Sequence, residues 1–161
     1  MLRIMKILLA ASVALWGLLG AVGNIGNWNA TTGAVAAVTS MSTFPGGPER
    51  WQATTNTAVI LAGALFILLA KIATGLLCAT GAWRMWTARK GNAAAFAKAK
   101  TLVLSGCAVA ILMLFVGFAI IGEGWFEFWR SEELRETAGA PAFRYSATIA
   151  LIALFLNMRD E

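Results

Sequence analysis

The chain has 161 residues, of which 59% are hydrophobic and 13% are charged, with a formal net charge of +5. This composition is too apolar for a water-soluble domain of that length, so we expect a lipid bilayer to be its solvent. The basic residues are dispersed at the ends of apolar blocks, which excludes nucleic acid as the expected partner. The chain has no histidine, and we expect no metal, no other cofactor and no catalytic residue.

Four apolar blocks are each close to the roughly 20 residues that a helix needs to cross a membrane. They are residues 4–22, 58–83, 101–122 and 141–158, joined by residues 23–57, 84–100 and 123–140. The first block follows basic residues and could be a signal peptide, but it exceeds the about 7 to 15 residues of a signal core. The predicted fold is therefore an all-α membrane protein, one domain with four transmembrane helices in an up-down bundle.

The distribution of Lys and Arg predicts the orientation, because basic connections stay preferentially in the cytoplasm. Eight basic residues lie at the start of the first span, between the second and third spans and after the fourth, whereas four lie in or beside the other two connections. We expect both termini in the cytoplasm, in a bacterial inner membrane, with residues 23–57 and 123–140 external. Within the first external segment, residues 31–41 are predicted to form a short helix along the membrane interface.

Aromatic residues are concentrated in the external segments. Trp125 and Trp129 are four residues apart, as are Glu123 and Glu127, so a helix here would carry an aromatic stripe and an acidic stripe. One interpretation is an interfacial belt that anchors helix ends, and the other is a docking patch for a second protein. The candidate patch comprises Trp28, Trp51, Glu123, Trp125, Phe126, Glu127, Trp129 and Arg144.

Lys71 lies near the middle of the second span, where an ionisable side chain is a functional candidate. It shares a helix face with Gly63, Ile67, Gly75 and Ala79, and small residues mark close helix contacts in membranes. We therefore expect Lys71 to face protein. No span interior carries a carboxylate, so we predict that Lys71 is satisfied by a group outside this chain, in contact with another subunit. A neutral or partly hydrated lysine without a task and a gating or substrate-binding role are the alternatives.

Small residues predict two further packing features. Gly17, Gly20, Gly23 and Gly26 recur every three residues in the first span, which allows close approach of a neighbouring helix. Cys78 and Cys107 lie at similar depths near the cytoplasmic side, where thiols stay reduced. We expect them to be small packing residues without a disulfide.

Three stretches resemble an uncharacterised bacterial family of predicted small integral membrane proteins, the domain of unknown function 2165. They are Lys6, Ile7 and Leu8 through Trp16 to Asn24; Val38 to Met41 with Phe44, Pro45 and Trp51; and Glu123 to Phe126 through Trp129 and Ser131 to Ala142, Phe143 and Arg144. The resemblance implies a small inner-membrane protein without a known activity. The family pattern usually has a glutamate in the middle of the second helix, in the stretch matching residues 71–78, whereas this chain has Lys71 there.

The function predicted from these features is a noncatalytic accessory, assembly or interaction subunit of a larger inner-membrane complex. The expected partners are the lipid bilayer and another membrane protein subunit. A small transporter or channel using Lys71 as an anion or proton-coupled site is the alternative. A lipid-headgroup enzyme using Glu123 and Glu127 comes third, and it would require a defined pocket at these residues.

The predicted orientation is tested by a cysteine introduced at Ser131 or at Gly91, in a background without Cys78 and Cys107. A membrane-impermeant thiol reagent added from outside should label the first position and not the second, because the basic residues favour the cytoplasm for residues 84–100. If the cysteine at Gly91 were labelled and a cysteine at an accessible position on the other side were not, the orientation would be the opposite of the predicted one.

Overall fold

The computed structural model describes residues 1–160, and those residues form five main helices and no strand. We label these α1 (Leu2–Gly26), α2 (Trp28–Thr39), α3 (Thr57–Ala88), α4 (Ala93–Trp125) and α5 (Glu132–Asn157). All except α2 are long and apolar enough to cross a membrane. The predicted all-helical fold with four such helices is confirmed.

The four long helices run alternately in opposite directions. Each packs against two others, in the order α1, α3, α4, α5 and back to α1. The chain ends and the α3–α4 connection meet on one side, which we call the terminus side, where the Arg3 guanidinium donates hydrogen bonds to the carbonyls of Arg89 and Gly91. The opposite side carries α2 and the α4–α5 connection, and we call it the α2 side.

Side-chain caps explain where three of these helices begin. The side-chain oxygens of Asn56, Asn92 and Ser131 accept hydrogen bonds from the first backbone N–H groups of α3, α4 and α5 respectively, which satisfies donors that have no partner within the helix. These caps lie outside the apolar blocks identified in the sequence, so the helices begin before the blocks do.

The burial of Ser131 affects the orientation experiment. Ser131 is buried, so the exposed Glu133 is the better position for an introduced cysteine on this side.

The predicted helical stripe of Trp125 and Trp129 is wrong. From Met113 the backbone of α4 widens to a π-helical winding, which ends at Trp125 with a hydrogen bond from the Phe126 N–H to the Ile121 carbonyl. Glu127 then adopts a left-handed conformation with φ of 50°, and a single 3₁₀ turn, Phe128–Arg130, follows. A left-handed residue cannot continue a right-handed helix, so the two tryptophans do not share a helix face.

The predicted short helix over residues 31–41 is present as α2, which begins three residues earlier and ends at Thr39. It packs mainly against α3 and also touches α1. A Cβ built on Gly63 of α3 would lie 2.9 Å from the Val35 side chain. The absence of a side chain at Gly63 therefore lets α2 lie close to the α2-side half of α3.

α1 and α3 approach each other at backbone distance. A Cβ on Gly17 would lie 2.8 Å from both the Gly75 nitrogen and the Lys71 carbonyl oxygen, and a Cβ on Gly75 would lie 2.7 Å from the Leu18 side chain. By contrast, a Cβ on Gly23 or Gly26 would meet nothing within 4 Å. Of the predicted glycine stripe, only the half containing Gly17 and Gly20 serves the helix contact.

A buried charge cluster ties the terminus side together. The Asp160 carboxylate accepts hydrogen bonds from Lys6 Nζ at 2.8 Å and from Lys100 Nζ at 2.6 Å. Both ammonium groups also donate to the Met158 carbonyl. The Lys6 side chain is fully buried and that of Lys100 is 5% exposed. Three distant parts of the sequence, in α1, in α4 and beyond α5, therefore share one ion cluster.

The close contact between α1 and α3 generates a stability prediction. Gly17→Ala should destabilise the protein by about 1 to 3 kcal/mol, because the added methyl meets backbone atoms that cannot move aside. The matched variant Gly23→Ala should be neutral or slightly stabilising, because its methyl meets open space and alanine favours a helix over glycine. Thermal unfolding of both proteins in the same detergent measures the difference. Equal stabilities would contradict the contact.

The ion cluster generates a pH prediction. Burial raises the pKa of Asp160, but hydrogen bonds and charge attraction from Lys100 and Lys6 outweigh it and hold the pKa below its ordinary value. A carboxyl group with a depressed folded-state pKa contributes stability that is present above its unfolded pKa and is lost as the pH falls below about 4. Stability should therefore fall on acidification in that range.

Asp160→Asn should remove this part of the pH dependence and cost about 3 kcal/mol at neutral pH, because two lysines are left without their counter-charge. Glu49→Gln is the control, since Glu49 is exposed. Thermal unfolding between pH 3 and 7, roughly the range in which carboxyl groups titrate, measures both effects. A variant as stable as the control at neutral pH would show that the cluster does not hold the ends together.

Candidate functional site

A cavity of about 930 Å³ occupies the α2-side half of the molecule. All five helices contribute to its wall, and the lining residues of each long helix come from the half nearest the α2 side. The lining residues nearest the terminus side are Trp16 of α1, Lys71 of α3 and Met113 of α4. Its volume falls within the range of about 300 to 1,000 Å³ typical of small-molecule sites.

Lys71 enters this cavity along α1. A Cβ on Gly20 would lie 3.1 Å from Lys71 Cδ and 3.4 Å from Lys71 Nζ, so the lysine side chain runs across the surface left free by that glycine. Its Nζ donates a hydrogen bond of 3.1 Å to Asn24 Oδ1. The sequence-based expectation that Lys71 faces protein agrees with this placement, since Gly75 on the same face packs against Leu18.

The partner of Lys71 lies within the chain, contrary to the expectation that only an external group could satisfy it. That expectation rested on the absence of a carboxylate from the span interiors, whereas Asn24 supplies a neutral amide oxygen from α1. Among the residues that the structure describes, salt bridges involve Lys6, Lys100, Arg50 and Arg130 and do not involve Lys71. The lysine therefore has a hydrogen bond and no counter-charge from residues 1–160.

Apart from Lys71, the cavity wall carries no charged side chain, and most of it is apolar. Thr31 contributes a hydroxyl that already donates to the backbone carbonyls of Asn24 and Asn27. Toward the terminus side the cavity ends against packed side chains, because Thr74, Cys78 and Cys107 are fully buried behind it. The cavity therefore stops short of the packed terminus-side half, and its one ammonium group lies among the lining residues nearest that half.

A second feature lies on the α2 side, where two tryptophans contact each other. The rings of Trp51 and Trp125 meet edge to face, with centroids 5.1 Å apart. Gln52 Nε2 donates to the Trp125 carbonyl at 3.3 Å. Trp51 is nevertheless 81% exposed and Trp125 is 49% exposed. These two residues form an exposed aromatic pair whose rings pack on each other.

Glu127 organises the surroundings of that pair. Its carboxylate accepts a hydrogen bond of 3.1 Å from Arg130 and lies 3.7 Å from Arg50 Nη2, and its other oxygen accepts from Gln52 Nε2. Beneath the pair, Phe126 packs with Met41 and Phe44 in a small buried cluster. The left-handed conformation of Glu127 thus places one acid where it joins the 41–53 segment to the α4–α5 connection.

The structure gathers only part of the predicted external patch. Trp51, Trp125, Phe126 and Glu127 come together, and the exposed Trp129 lies at one edge, with Arg130 between its ring and that of Phe44. Trp28 begins α2, about 18 Å along that helix from the Met41 cluster, and Arg144 lies over the Tyr145 ring. Glu123 instead lies beside Gly139 of α5, whereas Glu127 contacts Arg50, Gln52 and Arg130.

Sequence reasoning missed three residues that complete these two features. Asn24, Arg50 and Gln52 are polar residues in or beside segments read as connections, and each acts through a partner at least 47 residues away. Asn24 stands at the end of the glycine stripe, which was the available signal that its side chain faces α3. No comparable signal links Arg50 or Gln52 to Glu127, because their pairing depends on the left-handed turn.

The family comparison agrees with the membrane architecture. A family model described as predicted small integral membrane protein matches nearly the whole chain. No curated protein and no solved structure matches the chain. The four long apolar helices and the extent of the match lead to one assignment: the chain belongs to the predicted small integral membrane protein family (DUF2165), whose model covers residues 2–159.

Proposed function

We propose that the protein is a noncatalytic interaction subunit of a larger bacterial inner-membrane complex and docks its partner through the exposed pair Trp51 and Trp125. The single observation that carries this proposal is that the two exposed rings pack edge to face on each other. Ordered aromatic residues lose little conformational freedom on binding, which is why they dominate interaction hot spots.

The surroundings of the pair have the composition of a docking surface. Arg50 and Arg130 flank it, and both are ordered by Glu127. An aromatic centre with a polar rim is typical of protein interfaces, where arginine is also enriched. A residue that only anchors a helix end in the lipid headgroups needs no such neighbouring ion pairs, because it works in many orientations. The ion pairs of Glu127 with Arg50 and Arg130 therefore favour docking over simple anchoring.

The orientation that we propose places this surface outside the cytoplasm and both termini inside it. The support is the excess of Lys and Arg at the terminus side, eight residues against four, together with the general preference of basic connections for the cytoplasm. A partner would then be an extracytoplasmic domain or the external loops of another membrane subunit.

A transporter using Lys71 is the second candidate, and the cavity around that lysine is the observation in its favour. Transport requires a path to the other side, however. The terminus-side half is filled by buried side chains and by the Lys6, Lys100 and Asp160 cluster. A cavity that stops short of this packed half supports binding better than passage, and we therefore rank transport below interaction.

The docking proposal predicts that the double variant Trp51→Ala, Trp125→Ala loses its partner. Recovery of the intact complex from gently solubilised membranes should fall about 30-fold or more, because hot-spot residues contribute roughly 2 kcal/mol or more to binding. Intact-complex mass measurement gives the readout. Trp83→Ala is the control, since Trp83 is 67% exposed on α3 and lies in its terminus-side half.

All variants should insert into the membrane at the same level. The proposal fails if the wild-type chain is recovered as a clean monomer under gentle conditions. It also fails if the double variant keeps every subunit that the wild type and Trp83→Ala retain, in which case the aromatic pair is only an anchor.

A further inference from the structure

We propose that the α2-side cavity binds a single-chain amphiphile with an anionic head group, which pairs with Lys71 while its hydrocarbon chain lies along the apolar wall. This site is separate from the docking surface at Trp51 and Trp125 and does not depend on that surface. Three properties of the cavity support the assignment: its charge, its shape and its wall.

The charge of the cavity selects an anion. Lys71 is the one charged side chain among the lining residues of the cavity, and its Nζ has Asn24 Oδ1 as a neutral partner. An ammonium group has three donors, and the bond to Asn24 uses one of them. A ligand carboxylate or phosphate could accept a second bond and supply the counter-charge, which makes the interaction stronger than a bond between neutral groups.

The shape of the cavity favours a flexible chain over a helix from a partner protein. A helix with its side chains is about 10 to 12 Å across, so one that filled this volume would be limited to about two turns. All five helices contribute lining residues, so an occupant would contact protein on several sides. A single hydrocarbon chain is much narrower than a helix with its side chains and can bend to follow this wall.

The wall itself matches a hydrocarbon chain. Phe66 and Ile67 of α3 face the cavity together with Leu114, Phe118 and Ile121 of α4. Covering these side chains with an alkyl chain adds dispersion contacts that an empty or water-filled recess lacks. A small hydrophilic anion would contact Lys71 and leave this wall uncovered. The combination of one cation and a long apolar wall therefore indicates an amphiphile and not a free inorganic anion.

The two lysine environments in the molecule support the same assignment. Lys6 and Lys100 are each paired with Asp160 within 2.8 Å and close the terminus side. Lys71 is half-buried and lies beside space large enough for a ligand. The first two lysines serve packing, and the third is placed where an external anion can reach it.

The test is a titration of the purified chain with palmitate in a nonionic detergent, followed by native mass spectrometry. The expected result is one bound palmitate per chain at saturation. Hexadecanol, which has the same chain length and no charge, should bind at least tenfold more weakly. Acetate, which has the charge and no chain, should not displace palmitate at concentrations that leave the protein folded.

The matched variants are Lys71→Met and Lys98→Met, which change the net charge equally. Lys71→Met should weaken palmitate binding at least tenfold, and Lys98→Met should leave it unchanged because Lys98 is exposed on the terminus side. If Lys71→Met fails to fold, the comparison of palmitate with hexadecanol on the wild-type chain still decides the question.

Several results would overturn the proposal. Equal binding of palmitate and hexadecanol, or an unchanged affinity in a folded Lys71→Met protein, would show that the cavity takes apolar chains without regard to charge. Displacement by acetate would identify a site for small free anions. Binding of many palmitates without saturation would show partition into the detergent and no defined site. None of these results bears on the docking surface, which the Trp51 and Trp125 variant tests separately.

Discussion

The backbone contact between α1 and α3 is the constraint on which both halves of the molecule depend. At Gly17 and Gly75 the two helices are too close for a side chain on either residue. This approach brings Gly20 under the Lys71 side chain and puts Asn24 within hydrogen-bond distance of its amine. Small residues promote such contacts in membranes, because association there relies on close packing more than on hydrophobic burial. The position of Lys71 is a consequence of that packing.

The molecule is closed on the terminus side and open on the α2 side. The closed half has fully buried side chains such as Phe96, Val103 and Cys107, and the cluster around Asp160 joins its ends. In the open half, α4 widens at Met113 and the chain reverses after Trp125. Widened helical segments of this kind are often found at functional sites. The cavity and the aromatic pair both lie in this half, so binding and structural support are divided between the two sides.

Lys6 and Lys100 differ from Lys71 in the groups that stabilise their charge. Two lysines share one carboxylate and one carbonyl on the terminus side, and hydrogen bonds to those oxygens offset the cost of removing the charges from water. Lys71 instead donates to an amide oxygen beside an open recess. A structure that pairs two lysines with a shared carboxylate and leaves a third without one retains an electrostatic preference for an anion at that third lysine.

The helical fold, the four long apolar helices, the short α2 helix and the family could be predicted from the sequence, because these follow from local composition, hydropathy and motif. The Gly75 spacing also predicted that Lys71 faces protein, but it did not identify α1 as the facing helix. The three-dimensional packing was needed to show that Asn24 accepts from Lys71, that Asp160 joins Lys6 to Lys100, and that Glu127 ends the predicted aromatic stripe. The first two pairings join residues distant in sequence, and the third depends on one backbone conformation that a glutamate rarely adopts; none of the three leaves a periodic signal in the chain.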